Sequence, residues 1–193
     1  MTLIRQVVSG LCYPEIATQF PKDVQDRITY IRNACGGKSV GAYSNSAGLT
    51  PIRQNIAKYI NERDGCDNAD PNNIFLTDGA SGGIVQVMKM LPQGTGVMIP
   101  IPQYPLYTAT IAELHLTRCD YFLNEQKNWS LELEELQRSF DEATKKNGAS
   151  PKVICIINPG NPTGNVLSKD NLQNIIKFAY ENDMVVLSDE VYQ

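Results

Sequence analysis

Asn158-Pro159-Gly160-Asn161-Pro162-Thr163-Gly164 follows the apolar run Val153-Ile154-Cys155-Ile156-Ile157 and precedes a strongly periodic helical stretch. Two prolines and two glycines in so short a span continue neither a strand nor a helix, so the segment reads as a fixed turn at a strand's end. In an open α/β sheet, ligands sit beyond the carboxyl ends of the strands. The turn places there an amide, Asn161, able to donate to a negatively charged oxygen. A second run, Val185-Val186-Leu187-Ser188, ends the same way in Asp189-Glu190-Val191-Tyr192. Two neighbouring strands thus deliver an amide, a carboxylate and a phenol to one rim.

Working outward, strands and helices alternate. Ile74-Phe75-Leu76-Thr77 predicts a buried strand, followed by a helix from Ile84 to Leu91 that Pro92 ends. Gly96 to Ile99 is a second strand, leading through Pro100 to Pro105 into a helix that reaches about Leu114. Thr117 to Leu123 is a third strand, Leu133 to Lys146 a third helix and Lys152 to Ile157 a fourth strand. A helix capped by Ser168, with Leu172, Ile175, Ile176, Ala179 and Tyr180 on one face, precedes the last strand, Met184 to Ser188. This rhythm predicts an α/β fold with a mostly parallel sheet covered by helices.

Residues 1–40 are mixed, with a helical candidate around Asp23 to Ala34 that stops at Gly36-Gly37. Lys38-Ser39 does not complete a phosphate loop, because Arg32 stands where that motif needs a glycine and no strand precedes it. After the small-residue loop Gly41 to Gly48, Thr50 reads as an N-cap and Pro51 as the first helical residue. Ile52, Ile56 and Ile60 repeat at four with Tyr59 beside them, and Gly65 closes the helix. Gln193 follows a strand with no covering element after it, a poor place for a natural domain to end.

Length and composition set the class. At 193 residues and 42% hydrophobic, the chain can bury a sizeable core. A net charge of -4 gives no footprint for nucleic acid or an anionic membrane. The longest aliphatic stretch is far too short to span a bilayer, and residues 1–10 carry no secretory h-region. The five cysteines are odd in number and lack a C-x-x-C pair, so they read as reduced thiols in a cytosolic-type compartment. No metal site is expected.

Asp78-Gly79-Ala80-Ser81-Gly82-Gly83 joins the first expected strand to its helix. Its glycines allow close backbone approach, and the N–H groups of a first helical turn carry about half a positive charge, which suits a phosphate. The alternative is a tight turn with Ser81 as a mere N-cap. The same loop spells G-x-S-x-G, the nucleophile elbow of an α/β serine hydrolase using Ser81. The only histidine, His115, has no Asp between it and Ser81, so such a triad would need its His beyond residue 193. Ile101 to Tyr107 puts two rings, Tyr104 and Tyr107, in a proline-stiffened loop suited to stacking on a planar ligand. An anion cradle, an aromatic platform, an amide, a carboxylate and a phenol together fit pyridoxal phosphate.

These motifs resemble those of the fold-type-I aminotransferases, most closely the alanine aminotransferases. The resemblance covers nearly the whole chain and rests on residues 41–44, 70–76, 79–81, 99–107, 157–164 and 189–193. It implies a three-layer sandwich whose large, pyridoxal-phosphate-binding domain begins at 41 and is incomplete at its C-terminus. Residues 1–40 would then be an N-terminal segment packing with the small domain. It implies that Asp189 pairs with the protonated pyridine nitrogen, that Asn161 and Tyr192 bond the phenolic oxygen, and that Tyr104 stacks on the ring. Backbone groups of Gly79, Ala80 and Ser81 would hold the phosphate, and Tyr43 would reach the cofactor of a partner subunit in a homodimer.

The family's Schiff-base lysine lies in a Ser-rich segment downstream of Asp-x-x-Tyr, and no lysine here has that context. The resemblance therefore implies an N-terminal fragment, inactive alone and prone to aggregate, whose first strand lacks the partners that two later strands would supply. It also implies transfer of the amino group of L-alanine to 2-oxoglutarate, in the cytoplasm or alternatively in mitochondria. Another aminotransferase of the same class, a β-lyase and a non-catalytic relative without the lysine are the neighbouring readings.

Overall fold

The computed structural model describes residues 2–193, the side chains of Lys146 and Asn147 excepted. They fall into two compact units, divided between Leu76 and Thr77.

The first unit is helical. Helices α1 (Thr2–Cys12) and α2 (Lys22–Ala34) bury Val7, Val24 and Ile28 against each other, with Leu11, Phe20 and Ile31 packed around them. Helix α3 (Thr50–Asp64) is closed by Gly65 in the left-handed region, as the sequence predicts. Its start differs from the expectation by one residue. Leu49 holds the cap position and Thr50 is already helical, its hydroxyl accepting from Arg53 Nη2 at 3.3 Å. The buried face also differs. Arg53, only 6% exposed, and Ala57 point inward, while Ile52, Ile56 and Ile60 are half-buried and Tyr59 is exposed. Arg53 tolerates this because its fork meets backbone carbonyls, Nε to Gly48 at 3.1 Å and Nη1 to Pro71 at 2.8 Å.

The expected strand at Ile74 to Thr77 does not form. The run is not among the strands of the sheet, and Phe75 is 70% exposed. Apolar composition alone does not make a buried strand; that requires neighbours for both its backbone and its faces. One amide of the run, Leu76 N–H, donates to Ala47 O at 3.0 Å.

The second unit is a parallel sheet between two helical layers. Strands β1 (Gly96–Ile101), β2 (Thr117–Phe122), β3 (Pro151–Ile157) and β4 (Val185–Asp189) lie in the order β2-β1-β3-β4, every adjacent pair parallel. Helices α4 (Gly79–Lys89), α5 (Leu106–Glu113), α6 (Leu133–Asn147) and α7 (Lys169–Glu181) cover it. Period-two alternation sorts the strand residues into two cores. Val97, Ile99, Val153, Cys155 and Ile157 meet Ile84, Met88, Tyr107 and Ile111 of α4 and α5. On the other face, Met98, Cys119, Tyr121, Ile154 and Ile156 meet Leu136 of α6 and Ile175 and Phe178 of α7.

Helix α7 departs from the predicted face. Ser168 caps it as expected, accepting from Asn171 N–H at 3.1 Å. The buried stripe is Ile175, Phe178 and Ala179, whereas Ile176 and Tyr180 are exposed. At 3.6 residues per turn, 175, 178 and 179 share one side and 176 and 180 rotate off it.

Pro100 sits in β1, a central strand where a missing N–H ordinarily breaks the ladder. The register pairs Val97 with Val153 and Met98 with Ile154, and its continuation sets Pro100 opposite Ile156. In a parallel ladder the amide at 100 would then donate to the carbonyl of Cys155. Tyr121, 1% exposed, fills that role: its hydroxyl donates to Cys155 O at 2.6 Å. Tyr121→Phe leaves this buried carbonyl without a donor and is expected to cost about 1–3 kcal/mol. Urea denaturation of the variant beside the parent checks this, with a lower midpoint at unchanged slope.

Candidate functional site

Asp189 is the last residue of β4 and pairs in register with Ile157, so its side chain projects to the α4–α5 face. There it meets Tyr107 of α5, whose hydroxyl donates to Asp189 Oδ2 at 2.7 Å. Tyr107 is 0% exposed. Burial, reinforced by the adjacent carboxylate, pushes its phenol far above the usual range, so it remains protonated and a standing donor. The other oxygen, Oδ1, accepts from Val191 N–H at 3.2 Å. Each carboxylate oxygen retains a further lone pair, room for another donor.

The turn after β3 is stitched to this strand tip. Asn158 N–H donates to the Asp189 carbonyl at 3.0 Å, and Asn158 Oδ1 accepts from Leu167 N–H at 3.0 Å. Gly160 N–H donates to Asn165 O at 2.8 Å and Gly164 N–H to Gly160 O at 2.9 Å. The Asn158-Pro159 and Asn161-Pro162 bonds are cis. So braced, the turn presents Asn161, whose Nδ2 donates to the Tyr192 hydroxyl at 3.3 Å. The amide and phenol that the sequence assigns to one rim do meet.

Gly160 is required by contact rather than by its φ angle. A β-carbon there would lie 2.2 Å from Asn165 Oδ1 and 2.5 Å from Thr163 Oγ1, the pair whose hydrogen bond closes the turn. Gly160→Ala is expected to cost about 1–3 kcal/mol and to re-aim Asn161. A thermal melt, with amide chemical shifts of residues 158–165, checks both effects.

Tyr104 lies two residues before α5 and is 41% exposed. Gly79, Ala80 and Ser81 form the first turn of α4, which begins five residues before the expected Ile84, and all three are exposed. Helix α4 precedes β1 and sends Ile84 and Met88 into the core on the face of the sheet to which Asp189 projects. The Gly79 amide is already used, donating to Thr77 O at 2.9 Å, and the Thr77 hydroxyl donates to Gly79 O at 3.0 Å.

Ser81 is inside the helix, not a cap, and no strand leads into its turn. The strand-turn-helix setting of a nucleophile elbow is therefore absent. His115 lies between α5 and β2, at the amino-end rim, its carbonyl accepting from Gly94 N–H at 2.9 Å. Tyr43, in the first unit, is 98% exposed.

Tyr107, expected from its loop as a second stacking ring, is instead buried and anchors Asp189. Asn165 was missed outright. Its Nδ2 reaches Trp129 O at 3.0 Å, a partner far away in sequence.

Known proteins resemble this chain in sequence and in fold. An alanine aminotransferase 2 of Xenopus tropicalis is 50% identical over all of this chain, which spans 38% of that relative's length. A solved Escherichia coli aminotransferase superposes with a TM-score of 0.72 at 26% identity, covering 97% of this chain and 38% of its own. An alanine aminotransferase structure from Pyrococcus furiosus gives 0.68 at 27% identity, covering 78% and 36%. The family described as aminotransferase class I and II matches residues 12–193. The chain belongs to the class I and II aminotransferases.

Proposed function

We propose that the whole protein is an alanine aminotransferase, moving the amino group of L-alanine to 2-oxoglutarate to give pyruvate and L-glutamate, with pyridoxal 5'-phosphate as cofactor. One observation carries the reading: a buried phenol fixes the Asp189 carboxylate at a strand tip beside the paired amide and phenol of Asn161 and Tyr192. A carboxylate with spare acceptor sites, an amide and phenol together, an exposed ring and an exposed helix start are the donor set a flat phosphorylated pyridine needs. The choice of alanine is supported by the names of the relatives.

Bound pyridoxal phosphate supplies an electron sink for the pair released when the substrate Cα loses its proton. Asp189 would keep a proton on the pyridine nitrogen, Asn161 and Tyr192 would hold the phenolic oxygen, and Tyr104 would cover the ring face against water. The first turn of α4, built from Gly79, Ala80 and Ser81, would hold the phosphate by the N–H groups of Ala80 and Ser81 and by its dipole, with Gly79 allowing close backbone approach. The proton-carrying lysine belongs to family motifs outside residues 1–193. We further assign residues 41–193 to the cofactor-binding domain and residues 1–40 to packing against a small domain. Tyr43 would reach the cofactor of a partner subunit in a homodimer. The five cysteines are unpaired, which fits a cytosolic-type compartment. No helix among the described residues is long and apolar enough to cross a membrane.

The test is a substrate profile of the whole protein supplied with pyridoxal phosphate. Pyruvate and glutamate from L-alanine and 2-oxoglutarate should form faster than products from aromatic amino acids, glyoxylate or β-lyase substrates. A preference for any of those, or no turnover, contradicts the assignment.

A further inference from the structure

We infer that Tyr107 is a positioning residue for the cofactor: through its hydrogen bond to Asp189 it locks the carboxylate that faces the pyridine nitrogen and ties it to the segment that carries Tyr104. This rests on the proposed function and deepens it.

Asp189 ends β4, which among the described strands is paired on one side only, by β3. Among the described residues its carboxylate has two donors. Val191 N–H at 3.2 Å belongs to the chain immediately following, so it turns with Asp189 and cannot fix it against the rest of the fold. Tyr107 Oη at 2.7 Å comes from a distant part of the chain and from the packed α5 layer. The tyrosine is itself immobilised: it is fully buried among Ile99, Cys155 and Ile157, and its N–H donates to Tyr104 O at 3.3 Å. One turn of chain therefore carries both the ring platform and the anchor of the counter-charge. A shift of α5 would move the two together, and loss of the hydroxyl would uncouple them.

Tyr107 has no exposed atoms, so it acts on the cofactor only through Asp189. The protonated phenol supplies one hydrogen bond to a charged acceptor, an interaction whose loss corresponds to roughly a tenfold change or more. Groups that orient a ligating side chain typically alter affinity or activity by about 10–100-fold.

The experiment uses the whole protein and Tyr107→Phe, which keeps the ring and removes the hydroxyl. Apo-protein is titrated with pyridoxal phosphate and binding is followed by absorbance, beside the thermal midpoint of the apo form. The expected result is about tenfold weaker cofactor binding, a lowered kcat with a nearly unchanged KM, and an apo midpoint within a few degrees of the parent. In an Asp189→Asn background, Tyr107→Phe should add less than about twofold, because the negative charge that the hydroxyl positions is already gone. Parent-like cofactor affinity for Tyr107→Phe overturns the inference, as does a full independent loss in the Asp189→Asn background. A parent protein that binds no pyridoxal phosphate overturns the underlying functional reading instead. If Tyr107→Phe lowers the apo midpoint far beyond a few degrees, the double-variant comparison alone decides, since both of its arms then carry the same folding loss.

Discussion

Asp189→Asn in the whole protein is expected to lower kcat/KM for alanine by roughly a hundred- to a thousandfold, about 3–4 kcal/mol of transition-state stabilisation. The amide keeps the size of the side chain and its place at the tip of β4, so little of this loss comes from folding. What would disappear is the negative charge that the proposed function sets opposite a cationic ring nitrogen, the feature that would let the ring accept electrons. The Tyr107 hydroxyl, which now donates to Oδ2 at 2.7 Å, would still find an acceptor in the amide carbonyl. Steady-state kinetics with apo-protein reconstituted at saturating cofactor separates a chemical defect from weak binding. A variant within threefold of the parent would mean that Asp189 is not the counter-charge.

Gly96→Ala is expected to be the most damaging small substitution for the fold. Gly96 opens β1 at an irregularity where the pairing to β3 skips a residue, Gly96 opposing Pro151 and Val97 opposing Val153. A β-carbon there would lie 2.8 Å from Pro151 Cα and 2.9 Å from Pro151 N. These are backbone atoms of a neighbouring strand, so no rotamer change relieves the clash. Separating β1 from β3 would strain the central pair of a four-stranded sheet and both cores packed on it. The cost is expected at roughly 3 kcal/mol or above, the upper end for overpacking, seen as a fall in soluble yield and in thermal midpoint.

Much of this architecture is legible in the sequence because it is local. The turn at 158–164 announces itself through proline and glycine, and Ser168 and Gly65 bound their helices through backbone chemistry contained within a few residues. The α/β alternation follows from strand and helix periods, and the fold class with its parallel sheet comes out as read. Where the reading fails, the deciding partner is remote. Ile74 to Thr77 has a strand's composition, yet no strand of the sheet pairs with it. Arg53 is buried because the carbonyls of Gly48 and Pro71 happen to converge on it. Ile176 and Tyr180 fit a loose apolar stripe, but the sheet takes only the face carrying Ile175, Phe178 and Ala179.

The candidate site divides in the same way. Asn161, Asp189 and Tyr192 stand at strand ends, where residue type and topology alone suggest a ligand, and the structure pairs Asn161 with Tyr192 as their positions imply. Tyr107 is visible as an aromatic residue but its function is not, because the bond to Asp189 spans 82 positions in the chain. Asn165 gave no signal at all. The candidate ligand residues follow from local motif chemistry, and those that hold them in place follow from packing.

The central claim is that Asp189 opposes the ring nitrogen of a pyridoxal phosphate whose phosphate rests on the first turn of α4. A crystal structure of the whole protein with the cofactor measures this directly. It should place an Asp189 carboxylate oxygen within about 3 Å of the pyridine nitrogen and the phosphate oxygens at similar distance from the backbone N–H groups of the 79–81 turn. A ring bound elsewhere, or an Asp189 carboxylate separated from that nitrogen by well over about 4 Å, would contradict the account.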